Sequence, residues 1–234
     1  MHWDIINRGR SGTTSADWLP FDETSLYRKQ VHSKACRDAE IFVVVLGTMD
    51  VVSECVGMPV AAMRKTALDD YTEEETCDTV KNIREICEAL RDEGKKVVVC
   101  NVMTNGADIN RRAGTAKRVN RQLALYARAS AAEADKLKDT KKVEPVQLVK
   151  LNNPRSSRDD GRAFDGLHLN ARGYKAFASM LYEVVGPMMV ASEWKVWKTI
   201  LKGGSGPAES SGAVVVPESG DPVKPKSGAS KKAD

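Results

Sequence analysis

No apolar run in this chain approaches the roughly 20 residues that cross a bilayer as a helix, so no membrane span is expected. The opening stretch, MHWDIINRGR, lacks the basic-then-apolar pattern of a secretory signal. Cysteines are few and odd in number, five, and they are scattered without the close pairs that hold zinc. That usage points to reduced thiols in an intracellular, cytoplasmic setting. Excess charge is also small: 36 basic against 32 acidic residues leave a net +4, too little to argue for a nucleic-acid partner. Aromatics make up only 6%, and none forms a stacking platform beside the basic stretch 111–128, whose arginines read as a solvated helix face. Histidine is the scarcest reactive side chain. There are three, and His168 alone stands in a setting suited to chemistry.

What is present divides the chain in two. From about Gly203 the sequence turns to Gly, Ser, Pro, Ala and Lys, which cannot bury enough apolar surface to offset chain entropy. Residues 203–234 are therefore expected to be a disordered tail behind one domain, 1–202. Within that domain IFVVVLG (41–47) and KVVVCNV (96–102) are continuous apolar runs, as in parallel strands covered on both faces. WDIIN (3–7) and VQLVKL (146–151) are more interrupted and read as edge strands. Between them the spacing predicts helices. The first covers 73–93, with Thr72 and Glu75 as a capping box, Cys77, Val80, Ile83, Cys87 and Leu90 as an apolar stripe, and Gly94 as the stop. A second covers 111–134, with Val119, Leu123 and Tyr126 along one face. A third starts behind Asn170 as N-cap and is expected to bury Tyr174, Phe177, Ala178 and Leu181. This alternation means α/β with a mainly parallel sheet.

In open parallel sheets the chemistry gathers on loops beyond the strands' carboxyl ends. Three such loops are distinctive. NRGRSGTTSADW (7–18) carries Gly9 and Gly12, which permit a tight turn with amide N–H groups free for a ligand. LGTMDVV (46–52) is a glycine-containing turn from an apolar strand. FDGLHLNARGY (164–174) places Asp165 three residues ahead of His168 on a turn into a helix. A carboxylate so placed fixes the imidazole tautomer and steadies the imidazolium while the other ring nitrogen takes a proton.

The order of these loops resembles the SGNH hydrolases, the GDSL-type lipases and esterases. NRGRSGTT is similar to that family's second block, VVVLGTMD to its third and DGLHLNARGY to its fifth, so the resemblance runs from about residue 3 to 186. It implies a flavodoxin-like three-layer α/β/α fold and acyl transfer through a serine ester on a small acyl-ester substrate, with no metal and no organic cofactor. It also implies that His168 is base then acid, Asp165 orients it, and the Gly12 N–H serves the oxyanion hole.

Two departures stand out. Met49 occupies the family's oxyanion asparagine position, and a thioether cannot donate a hydrogen bond. Losing one such donor costs on the order of a hundred- to a thousand-fold in turnover. The family's first block, a strand followed by Gly-Asp-Ser, does not occur, so no nucleophile is identified. Ser11 is ordinary for the second block, and the serines of NPRSSRDD (153–160) have no helix N-terminus behind them. A sheet lacking its first, central strand is expected to expose apolar edges, which suggests a longer native protein or, second, a pseudoenzyme. Three readings follow: an ester hydrolase of little or no activity as it stands, a catalytically dead binding or scaffold protein, and a nucleotide or phosphate binder using the GRSGTT amides. The last leaves Asp165 and His168 unexplained. The sequence does not specify an oligomeric state.

Overall fold

A computed structural model describes residues 3–54, 77–103, 113–137, 143–151 and 168–203. Three strands, β1 (Ile41–Val44), β2 (Lys96–Cys100) and β3 (Gln147–Val149), form a parallel sheet in the order β1-β2-β3. Ile41 stands opposite Lys96, and Val98 opposite Gln147. The central strand explains its own composition. Val97 through Cys100 are each at most 1% exposed, because alternate side chains enter two different cores.

On one face, α2 (Asp78–Asp92) and α3 (Ala113–Leu137) bring Val80, Ile83, Leu90, Val119 and Leu123 against Val97 and Val99. On the other, α4 (Ala171–Leu201) brings Phe177, Leu181, Val184 and Met188 against Val98, Cys100 and Val149. The result is the three-layer α/β/α arrangement, with a short helix, α1 (Thr48–Glu54), following β1. No helix among the described residues is long and apolar enough to cross a membrane. Chain contacts group residues 1–193 as one unit and 194–234 as another.

Local signals set the helix ends. Gly94 has φ +75°, its N–H donates to the Arg91 carbonyl, and the Lys95 N–H donates to the Leu90 carbonyl, a Schellman stop. Asn170 caps α4, its side-chain oxygen accepting the Gly173 N–H at 2.9 Å.

Three expectations need correction. Residues 3–7 form no strand: Ile5 is 96% exposed, and a strand needs a ladder partner that this stretch lacks among the described residues. The helix expected from residue 73 begins at Asp78, after Cys77 in extended geometry as N-cap, while Thr72 and Glu75 lie outside the described residues. Tyr174 and Ala178 are exposed. Phe177, Leu181, Val184 and Met188 set the partly buried stripe of α4; Tyr174 lies in the first turn, before that stripe, and Ala178 one step round the helix from Phe177.

Candidate active site

The turn from β1 into α1 is built around Gly47. It is buried at φ +105°, and a Cβ there would lie 2.8 Å from Val102 Cγ2, so both conformation and space demand glycine. Val102 is fixed in turn. Its N–H donates to Asn120 Oδ1 and its carbonyl accepts from Asn120 Nδ2, both at 2.7 Å. The ends of β1 and β2 are thereby pinned to each other and to α3.

The loop carrying Gly12 is clasped to the same turn. Ser15 is fully buried and Asp50, in the first turn of α1, is 8% exposed. The Ser15 N–H donates to both Asp50 carboxylate oxygens, at 3.1 and 2.9 Å, and the Ser15 hydroxyl also donates to Oδ1. Asn82 on α2 donates its amide N–H to the Ser15 oxygen at 3.1 Å. A buried carboxylate is costly unless hydrogen-bonded, and here its partners come from a loop 35 residues away in sequence. The loop is further stiffened where the Thr14 N–H and hydroxyl both donate to Asp17, and where the Trp18 indole N–H donates to the Thr13 hydroxyl oxygen. Gly12 itself is exposed at φ +77° with open space around its Cα.

The GDSL-like Lipase/Acylhydrolase family model matches residues 1–176. This chain belongs to that family. Two solved structures resemble it. One is a GDSL-like lipase from Bacteroides thetaiotaomicron, 16% identical with a TM-score of 0.49, the match covering 76% of this chain and 73% of that one. The other is a protein assigned as an acylhydrolase from Bacteroides fragilis, 13% identical with a TM-score of 0.42, covering 76% and 72%. No curated protein matches the chain.

The residues expected from the sequence to carry the chemistry are distributed as follows. Gly12 and Met49 are joined through the Ser15–Asp50 clasp, Met49 being partly buried in the first turn of α1. His168 is exposed, two residues before the Asn170 cap of α4. Lys96 Nζ at the start of β2 hydrogen-bonds the Ser192 hydroxyl, while residues 177–188 lie across the sheet. Helix α4 therefore runs antiparallel to the strands, and His168 stands at their carboxyl end with the other two loops. Asp165, Ser156 and Ser157 lie outside the described residues, and Ser11 is exposed beside Gly12.

Among the described residues no three His, Cys, Asp or Glu side chains converge as metal ligands would. A groove of about 580 Å³ lies along α2 between Phe21, Tyr27, His32 and Glu85, and none of Gly12, Met49 and His168 lines it. Its walls are tied down internally. Glu93 accepts the Tyr27 hydroxyl at 2.9 Å and contacts His32 Nε2 at 2.8 Å. Residue reasoning missed Ser15, Asp50 and Asn82. The one available signal was Asp50 itself, the last residue of the Gly47–Asp50 block.

Proposed function

We propose that this chain is an ester-hydrolase domain of the GDSL family that binds a small acyl ester and, as it stands, turns it over at no more than a trace rate. The observation that carries this reading is the buried Ser15–Asp50 clasp, which holds the Gly12 loop against the turn bearing Met49. A loop held rigid in this way suits pre-organised oxyanion binding. In the proposed chemistry His168 takes a proton from the attacking group and returns it to the leaving alcohol, with Asp165 orienting the ring. The Gly12 N–H receives the developing oxyanion. Ser15 is excluded as nucleophile, since its hydroxyl is buried and committed to Asp50. With no identified serine, His168 can activate only water, without the positioned covalent step.

Met49 favours a second reading, a binding or scaffold protein that retains the cleft, because the residue in the oxyanion position cannot donate. Turnover of p-nitrophenyl acetate and butyrate separates the two, with His168→Ala as control. The expected result is trace hydrolysis by the 234-residue chain. An N-terminal extension supplying a strand that ends in Gly-Asp-Ser should raise it, and Met49→Asn in that extended protein should add on the order of ten- to a thousand-fold. Robust His168-dependent activity without the extension would show that the 234-residue chain carries a nucleophile of its own. No gain from either change would leave the scaffold reading.

A further inference from the structure

The last turns of α4, taken by themselves, form an amphipathic surface. At about 100° per residue, Trp194, Trp197, Ile200 and Leu201 fall on one arc. Lys195, Lys198 and Lys202 fall on the adjoining arc, and no acidic residue lies between Trp194 and Lys202. Among the described residues the apolar arc is exposed: Trp194 is 56% exposed, Trp197 49%, Ile200 38% and Leu201 75%. The lysines adjoin this arc, and Lys198 Nζ reaches back to 5.6 Å from the centre of the Trp194 ring.

We propose that residues 194–202 dock the protein in the plane of an anionic lipid surface. Tryptophan rings are amphipathic and settle at headgroup depth, indole N–H outward, while aliphatic side chains sink below them. Lysines flanking such a face keep their stems on apolar surface and place their ammonium groups among headgroup phosphates. Three cations with no acid within residues 194–202 match an anionic surface, since a neutral one would receive the apolar face and leave the charges without partners. The helix is not apolar enough to span, and its one-sided apolar arc suits a position in the plane of the interface. This surface is independent of the ester chemistry: a chain with no hydrolase activity would carry it unchanged.

Sedimentation of the full chain with vesicles tests the proposal. Vesicles of phosphatidylcholine mixed with phosphatidylserine should carry the protein down at low salt, and phosphatidylcholine alone should not. High salt should release it. The triple variant K195Q/K198Q/K202Q should weaken partitioning on the order of a hundredfold, each lysine near an anionic surface contributing roughly fivefold. W194A/W197A should abolish partitioning and the accompanying blue shift of tryptophan emission. Equal sedimentation with both vesicle types, indifference to the lysines, or no sedimentation with either would overturn the proposal. So would a self-associating chain that ignores vesicles and that W194A/W197A converts to monomer. The lipid and salt comparisons use the unmodified protein, so they test the proposal whether or not a variant folds.

Discussion

Ser15 shows how one side chain links several elements. Its N–H and hydroxyl serve Asp50, and its oxygen accepts from Asn82, so loop, α1 and α2 meet at a single buried hydroxyl. Ser15→Ala removes a donor from a buried carboxylate and an acceptor from an amide. The expected loss is about 1–3 kcal/mol, the cost of leaving such groups unsatisfied, read as a lowered urea midpoint with the slope unchanged. An unchanged midpoint would mean that the clasp is replaceable by water. This site was only half legible in the sequence. Gly12, Met49 and His168 stand in recognisable local patterns, whereas Ser15 and Asn82 matter through partners 35 and 67 residues away. A serine in a threonine- and serine-rich loop carries no mark of burial.

The elements themselves were more readable. Strand β2 was legible because a strand covered on both faces tolerates an unbroken apolar run; β1 was expected to be covered in the same way, yet Val43 and Val45 are 37% and 51% exposed, so one of its faces is partly open. The α4 start and the α2 stop were legible because Asn170 and Gly94 solve local hydrogen-bonding problems within a few residues. Residues 3–7 were misread because their alternation suits a strand, yet strands exist only in pairs. The same pairing rule yields a prediction for β1. Lys96 N–H donates to the Glu40 carbonyl, so Glu40, Phe42 and Val44 turn their backbone groups toward β2. Ile41 and Val43 then turn theirs to the outer edge, where Val43 is also 37% exposed. Hydrogen exchange should therefore be fast at the Ile41 and Val43 amides and slow across β2. Strong protection of Val43 in the isolated monomer would mean that the edge is covered.

For the molecule as a whole, buried acids with raised pKa values set the response to alkali. Burial pushes the Cys87 and Cys100 thiols from 9.0 up to about 12. Burial, reinforced by hydrogen bonds to Glu93 and Glu88, also carries the Tyr27 and Tyr126 hydroxyls above their ordinary range. A group whose folded pKa is raised ionises first in the unfolded chain. Its stabilisation is complete below the unfolded value and is lost as pH climbs toward the folded one. Stability should thus hold to about pH 9 and then fall, by about 1.4 kcal/mol per pH unit for each thiol that is ionised only when unfolded. Urea midpoints between pH 8 and 11, both on the order of the thiol range, provide the measurement. Tyr27→Phe combined with Tyr126→Phe should make the decline shallower at its upper end. A flat profile would contradict the burial of these groups.

The same thiols give the molecule a built-in stopwatch. A thiol reacts as thiolate, so Cys87 and Cys100 stay silent toward an alkylating reagent until their surroundings come apart. Cys87 lies in the layer of α2 and α3, Cys100 in the layer of α4, on opposite sides of one strand system. Whichever is alkylated first, followed by mass, names the side that loosens first. If both are tagged at one common rate, the two layers part in a single event.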